Sequence, residues 1–478
     1  MHFDHTYAQK LSDMVSQVRI SPLLEPKLAL YNEQLAEEIE LKNEFSQADT
    51  LFAALFTPDG CLNQQGVAQK YGGHQFGGWN PDLGDGRGVL LAEAVTEKQQ
   101  SWDLHLKGAG KTPYSRFGDG RAVLRSTIRE YLASEALHNL GIPTSRALCL
   151  ISSKEIVYRE QPETGAMLIR ACQSHIRFGH FEYFYQSNQL DKLDKLFNYT
   201  FQQHYPSFLD HENPHYSLLE QIVLSTADLI AKWQAFGFCH GVMNTDNMSI
   251  HGITFDFGPY AFLDTFDPDY ICNHSDHNGR YAFDQQPGVA LWNLNALAHA
   301  FTPYLSIDQI KQALTQYETR LQSQYAELMG QKFGFKRVSN HDMQLVNQWL
   351  ALVAQDKRDY TQSFRLLCDE NLNANKLADH FIDRSKAQNW YQAYLARLAE
   401  ESIPKNERLM TMKEANPKFI LRNYLAQNAI NAAETGDFGE CERLLKVLSN
   451  PFDEQPDFEH YAQTPPDWGQ SMEISCSS

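Results

Sequence analysis

Two neighbouring segments bring together side chains able to hold phosphates and move a proton: His240-Gly241-Val242-Met243-Asn244-Thr245-Asp246-Asn247, then Asp256-Phe257-Gly258. Asn247 and Asp256 offer the oxygen donors that hold Mg²⁺ against phosphate groups. Asp246 is a carboxylate beside them, able to take the proton of an attacking hydroxyl. Upstream, Lys107 is a cation at the end of an alternating apolar and polar run, and Glu130 is a carboxylate within a helical stretch. A strand lysine steadied by a helix glutamate is a phosphate-binding arrangement. Two glycine-rich segments, Leu83-Gly84-Asp85-Gly86-Arg87-Gly88 and Phe117-Gly118-Asp119-Gly120-Arg121, allow backbone N–H groups to approach phosphate closely. Around them gather Arg87, Arg116, Arg121, Arg125, Arg129, Arg170 and Arg177, whose planar guanidinium groups suit bidentate phosphate contact.

Periodicity indicates the elements that position these groups. Trp102 to Lys107 alternates strictly, with Trp102, Leu104 and Leu106 on one face and Asp103, His105 and Lys107 on the other. That predicts a half-buried strand with a polar working face. Arg87 to Val95 and Ala166 to Ala171 predict further strands, while Ala147 to Ser152 and Glu155 to Arg159 predict a hairpin turned at Ser153-Lys154. Val123 to Leu140 places Leu124, Ile128, Leu132, Ala136 and Leu140 on one helical stripe, with Gly141 as the stop. The second glycine-rich segment directly precedes that helix, whose N-terminal donors could receive an anion. Residues 9 to 45 read as short helices or loops, interrupted by Pro22 and Pro26. After about residue 215 the pattern turns helical, in Ser217 to Phe238 and in the segments 308–328, 343–355, 388–400 and 417–447. The expectation is an α+β fold: a strand-rich first lobe and a larger helical second lobe, with the chemical loop at 240–264 between helices.

The bulk composition limits the function classes. A chain of 478 residues, 42% hydrophobic and 21% charged, is ordinary globular composition. A formal charge of −18 argues against nucleic acid as a partner, so an anionic ligand must meet a local basic cluster. No basic n-region with an apolar run opens the chain and no apolar stretch is long enough to span a bilayer, so a cytoplasmic protein without membrane contact is expected, and a monomer. The eight cysteines include no CxxC pair, which excludes a zinc signature. Cys61, Cys149, Cys172 and Cys239 read as buried small apolar residues. Cys476 follows a proline-rich acidic tail expected to be mobile, which would leave its thiol reachable. The loop Ile271 to Arg280, with His274, Asp276 and His277, reads as a structural polar cluster.

The catalytic segment resembles the protein-kinase pattern HRDxxxxN followed by DFG. On that pattern His240 falls on the His, Asn247 on the Asn and Asp256 on the metal Asp, but Val242 falls where the proton-accepting Asp belongs. A valine cannot accept a proton, which counts against a phosphotransferase of the usual kind and leaves an inactive nucleotide-binding scaffold as the rival of a reaction whose base lies elsewhere. Longer segments carry a second resemblance. Tyr71-Gly72-Gly73-His74-Gln75-Phe76-Gly77, Leu83 to Arg87, His105 to Gly110, Gly118 to Arg121, His240 to Asn247 and Asn273 to His277 together are similar to the selenoprotein O family, from about residue 55 to the terminus.

That resemblance implies a protein-kinase-like two-lobed fold and transfer of AMP from ATP, bound in a flipped orientation, to Ser, Thr or Tyr hydroxyls of proteins. UMP from UTP with Mn²⁺ is the variant associated with bacterial relatives. It implies nucleotide contacts from Gly84, Gly86, Arg87, Lys107, Asp119, Gly120, Arg170, Arg177 and Asp256, with Asp246 as proton acceptor. Asn247 and Asp256 become ligands of Mg²⁺ or Mn²⁺, and Glu130 the partner of Lys107. Selenocysteine stands near the terminus in part of the family where this chain has Cys476, and the resemblance implies a disulfide from it to a cysteine near the catalytic loop, here Cys272. The domain expectation is a helical extension over 1–60, an N-lobe over 61–172, a C-lobe over 173–448 and a tail over 449–478.

Overall fold

A computed structural model describes residues 2–470 together with 472 and 474. The first part of the chain is built on a ten-stranded sheet in which every pair is antiparallel. Its main path runs Val15–Gln17, Val67–Gln75, Gly88–Val95, Ser101–Lys107, Pro162–Cys172, Arg146–Tyr158 and Lys27–Tyr31. His2–Asp4 also joins it, so the opening segment, expected as a helical extension, contributes three strands as well as short helices. The later part is mostly helical, led by Pro214–Phe236 and Ile307–Phe333. The architecture is the α+β, two-lobed, kinase-like arrangement.

The sheet is covered on both faces. Leu104, Leu106, Met167 and Ile169 pack against Leu35, Ile39, Leu51 and Leu55 from the short N-terminal helices. Leu90, Leu150 and Leu168 on the other face pack with Ile128, Leu132 and Ala136 of the helix Leu124–Asn139. The predicted stripe of that helix is therefore its sheet-facing side. Its remaining sides are also covered, because Asn423–Glu434 and Gly439–Leu448 pack behind it. Each fully buried leucine or isoleucine contributes about 1.5–3 kcal/mol through removal from water, which fixes the helix firmly against the sheet.

This double cover corrects one expectation, and strand pairing a second. Ser101–Lys107 alternates as predicted but is not half-buried: Asp103, His105 and Lys107 are as inaccessible as the leucines between them. The segment Ser174–Arg177 lies over the polar face, with the His175 N–H donating to Asp103 Oδ2 at 2.7 Å. The hairpin expected at Ser153-Lys154 is instead one continuous strand, Arg146–Tyr158, which turns back at Arg159–Gln161 into Pro162–Cys172. Ser153 and Lys154 mark where that strand leaves the core, and beyond them exposed and shielded positions alternate along a two-stranded ribbon.

Elsewhere the helical segments lie where periodicity placed them, except that 417–447 divides into Asn423–Glu434 and Gly439–Leu448 around Thr435–Phe438. The tail, expected to be mobile, packs as far as Gln470. Tyr461 is buried, the Ala462 carbonyl accepts from Gln362 Nε2 at 2.8 Å, and the helix Asp467–Gln470 rests on Tyr424. Among the described residues no helix is long and apolar enough to cross a membrane.

Candidate active site

Between the sheet and the helical part lies a cavity of about 710 Å³. Strand register explains its basic wall. His105 stands opposite Arg170 and Lys107 opposite Leu168 on neighbouring strands, so His105, Lys107 and Arg170 share one face. Glu130, on the helix packed against that face, lies between the two cations. Lys107 Nζ donates to Glu130 Oε2 at 2.6 Å, while Arg170 donates through Nη2 to the same oxygen at 3.1 Å and through Nε to Oε1. Burial draws the Lys107 ammonium down to about 8 in spite of Glu130. Burial pushes the Glu130 carboxyl upward, but Arg170 and Lys107 outweigh it and hold the group at about 2.

The same arginine extends the chain of charges to the metal-type aspartate. Arg170 Nη1 donates to Asp256 Oδ1 at 2.8 Å, and Arg177 Nη1 donates to Asp256 Oδ2 and, at 2.7 Å, to the Asp246 carbonyl. Arg177 is buried between the rings of Tyr71 and Phe255, 4.7 and 4.8 Å from their centroids, so its guanidinium has little freedom to move. Asp256 sits at φ +59°, the left-handed region that a non-glycine residue adopts at a cost of order 1–3 kcal/mol. That backbone geometry, with both carboxylate oxygens facing cations, holds the side chain toward the cavity.

The catalytic loop is held from within. Burial lowers the His240 imidazole to about 4, which keeps it neutral. It donates from Nε2 to the Phe255 carbonyl at 3.0 Å and accepts the Val242 N–H at Nδ1 at 3.4 Å, tying the loop to the segment just before Asp256. Asn247 Nδ2 donates to the Val242 carbonyl at 3.0 Å, which leaves Oδ1 as the acceptor available for a cation. Asp246 is buried, burial raises its carboxyl to about 6 against the pull of Arg177, and Oδ1 has no hydrogen-bond partner. Hard oxygens from Asn247 and Asp256 fit Mg²⁺ or Mn²⁺, and the orphaned Asp246 oxygen beside them is placed to take a proton.

An element whose role periodicity does not reveal presses on this loop from the sheet side. The hairpin formed by Val67–Gln75 and Gly78–Gly84 reaches across the cavity. Its His74 N–H donates to Thr245 Oγ1 at 2.7 Å, and its Phe76 N–H to Asn244 Oδ1 at 3.3 Å. Asn80 Nδ2 donates to Gln75 Oε1 at 3.1 Å, and Gln75 Nε2 lies 3.5 Å from Asp246 Oδ2. A Cβ at Gly73 would stand 2.7 Å from Asp246 Oδ1, and one at Gly179 would stand 2.1 Å from the Gly72 carbonyl oxygen. Glycine at these positions is what lets the hairpin close onto Asp246. The signal was present in the Tyr71 to Gly77 motif, but only the fold shows what it touches.

The structure brings Gly84, Gly86, Arg87, Lys107, Asp119, Gly120, Arg170, Arg177, Asp246, Asn247 and Asp256 to the lining of this one cavity, with Glu130 immediately behind. It separates the arginine cluster into different roles. Arg125 pairs with Glu163, and Arg129 bonds the Tyr260 carbonyl and stacks on its ring. Arg121 borders the cavity, but its guanidinium is spent on Glu155 and the carbonyls of Ser21 and Pro22. Arg159, which spacing gave no reason to single out, lines the cavity and grips Asp119 through two hydrogen bonds of 2.8 and 3.0 Å. The glycine-rich loop at 118–120 does not run into the helix of Glu130, because the short strand Ala122–Val123 intervenes. Cys61 is exposed, contrary to expectation, in the turn after the helix Ala48–Phe56, whereas Cys149, Cys172 and Cys239 are buried. Cys272 is buried with Sγ 3.4 Å from that of Cys239, and Cys476 lies outside the described residues. Asp276 closes its own turn by accepting the Arg280 and Tyr281 N–H groups at 3.0 and 2.7 Å.

The family model described as "Protein adenylyltransferase SelO" matches residues 1–449. The chain is 58% identical over 480 residues to "Protein nucleotidyltransferase YdiU" of Pseudoalteromonas atlantica, covering all of both chains. It is 49% identical to the protein of that name from Yersinia pseudotuberculosis, over 100% of this chain and 99% of the relative. For the Vibrio parahaemolyticus protein the identity is 50%, over 100% and 98%. The chain belongs to the SelO family of nucleotidyltransferase enzymes.

Proposed function

We propose that this enzyme transfers the AMP moiety of ATP to Ser, Thr or Tyr hydroxyls of other proteins, with UTP as the alternative donor. The observation that carries the reading is the pairing of Val242, inert at the usual base position, with Asp246, a buried carboxylate whose Oδ1 is unpartnered in the same cavity as Asn247 and Asp256. In the flipped orientation the α-phosphate sits beside these three residues. The β- and γ-phosphates then extend toward Lys107, Arg87 and the glycine-rich loops. Asp246 takes the hydroxyl proton, the hydroxyl oxygen bonds to the α-phosphorus, and the bond to the bridging oxygen breaks to release pyrophosphate. Asn247 and Asp256 would hold Mg²⁺ or Mn²⁺, which supplies neutralisation of phosphate charge. Arg170 and Arg177, fixed by Glu130 and by two aromatic rings, are already oriented toward the position of that charge and need little rearrangement during reaction.

Incubating the protein and a mixture of candidate substrates with ATP labelled on the α- or the γ-phosphate tests the reading. Protein-bound label from α- but not γ-labelled ATP is the expected result. Retention of γ-label would make the enzyme a phosphotransferase, and retention of neither would make it a nucleotide-binding scaffold.

The lowered Lys107 gives a pH prediction. A cation needed for the phosphates is present below its pKa and lost above it. kcat/KM for ATP should therefore fall as pH rises through about 8, the value in the free enzyme. Lys107→Arg, which stays charged, should remove that limb. An unchanged limb in the variant would assign it to another group.

The terminal thiol adds a redox element to the proposal. The Ile474 carbonyl accepts the His274 N–H at 2.9 Å, so the chain two residues before Cys476 lies two residues from Cys272. A Cys272–Cys476 disulfide would tie the tail to the segment behind the catalytic loop. Turnover with and without dithiothreitol should differ for the wild type and coincide for Cys476→Ser. Equal wild-type rates under both conditions would remove the idea.

A further inference from the structure

A second cavity, of about 650 Å³, opens beside the first and shares Phe76 with it. Phe76 is the tip of the hairpin that presses on the catalytic loop. Its backbone N–H bonds Asn244 Oδ1 and, at 3.0 Å, the Tyr281 hydroxyl, while its exposed ring packs on Tyr281 at 5.1 Å. The two cavities therefore meet at Phe76, the first of them lined by Asp246. Ile271 and Val289 line the groove, and exposed Trp292 borders it under the Arg280 guanidinium, 4.8 Å from the ring centroid. Two exposed large apolar side chains, Phe76 and Ile271, thus line one opening next to the proposed base, with exposed Trp292 reached through Arg280.

The charges are one-sided. Asp269 and Asp284 are exposed on the lining, and among the described residues no lysine or arginine pairs with either. Asp276 is spent on its own turn, and Arg280, among the described residues the one cation on the lining, lies over the Trp292 ring rather than on a carboxylate. The walls are joined to each other: the Phe283 N–H donates to the Tyr270 carbonyl and the Asp284 N–H to that of Pro268, both at 3.0 Å. The groove is formed before any partner arrives, so ordering it adds no cost to binding.

Resting on the nucleotidyl-transfer reading, we infer that this groove seats the protein substrate, taking an extended segment with an apolar side chain and an arginine or lysine near the target hydroxyl. The apolar side chain enters between Phe76 and Ile271, and the cation meets Asp269 and Asp284. A charge at this rim is half-solvated, so it selects among substrates more than it strengthens binding.

The test uses the full chain, α-labelled ATP and two synthetic peptides of equal length. Each has a central Ser-Tyr flanked by Leu, one with Arg and the other with Glu at the remaining flanking positions. Wild type should prefer the Arg peptide by about tenfold in kcat/KM. Asp269→Lys combined with Asp284→Lys should reverse that preference with KM for ATP unchanged, and Ile271→Asp should raise KM for both peptides without altering KM for ATP. Equal labelling of the two peptides by wild type, or an Arg preference surviving the double reversal, would overturn the assignment while leaving nucleotidyl transfer standing. If the groove instead seats a second copy of the chain, the double variant would lower the sedimenting mass and leave peptide preference untouched, which also overturns it. Absence of α-label from every protein and peptide would overturn the transfer reading, and this assignment with it.

Discussion

Asp246→Asn should lower transfer of α-label to protein by about 10²–10⁴-fold, the range that a positioned general base supplies. The amide has nearly the same shape as the carboxylate but cannot accept a proton at neutral pH. Little else depends on the charge: Oδ1 makes no hydrogen bond, and Oδ2 has only the 3.5 Å contact with Gln75. Arg177 holds the backbone carbonyl of Asp246 rather than its side chain, so the loop keeps its anchor in the variant. Single-turnover transfer should therefore collapse while binding of a fluorescent ATP analogue stays within a factor of a few. A variant that keeps wild-type transfer would show that the hydroxyl proton goes elsewhere.

Asp256→Ala should cost about 10²–10³-fold by a different route, through lost stabilisation of phosphate charge. Both oxygens of Asp256 face guanidinium groups, so removing them leaves Arg170 and Arg177 pointing at one another without an anion between them. Arg170 retains Glu130, whereas Arg177 keeps only the Asp246 carbonyl and its two aromatic rings. The two variants separate in a titration of Mg²⁺ or Mn²⁺. Asp246→Asn should keep the wild-type midpoint with a lowered plateau, whereas Asp256→Ala should need far more metal or reach no plateau. Wild-type metal dependence in Asp256→Ala would remove Asp256 from the ligand set.

Much of the chemistry was legible from residue type and order. Lys107 at the end of an alternating run, Glu130 within a striped helix, then Asn247 and Asp256 downstream are local signals, since alternation and the helical stripe depend on neighbours a few positions away. The same locality explains the errors. Ser153-Lys154 has the composition of a turn, yet the strand continues because it pairs with Pro162–Cys172, whose Gly165 carbonyl accepts from Ser153 Oγ at 2.7 Å. Alternation alone makes Ser101–Lys107 a half-buried strand, because the segment that covers its polar face, Ser174–Arg177, lies some seventy positions away.

By itself, the amino-acid sequence determined the inventory: a glycine-rich first half with a local cluster of arginines, a second half bearing Asp246, Asn247 and Asp256, and no aspartate where a kinase base would stand. Tertiary structure decided which members of that inventory act together. Arg170 and Arg177 meet Asp256 while Arg125 and Arg129 are spent elsewhere, and the hairpin bearing Gly73 and Gln75 closes onto Asp246 across more than 170 positions of chain. The physical reason is that strength in a charge pair or hydrogen bond comes from burial and from contact within about 3 Å. Both are set by how the sheet and helices pack against each other, a quantity that spacing along the chain does not contain.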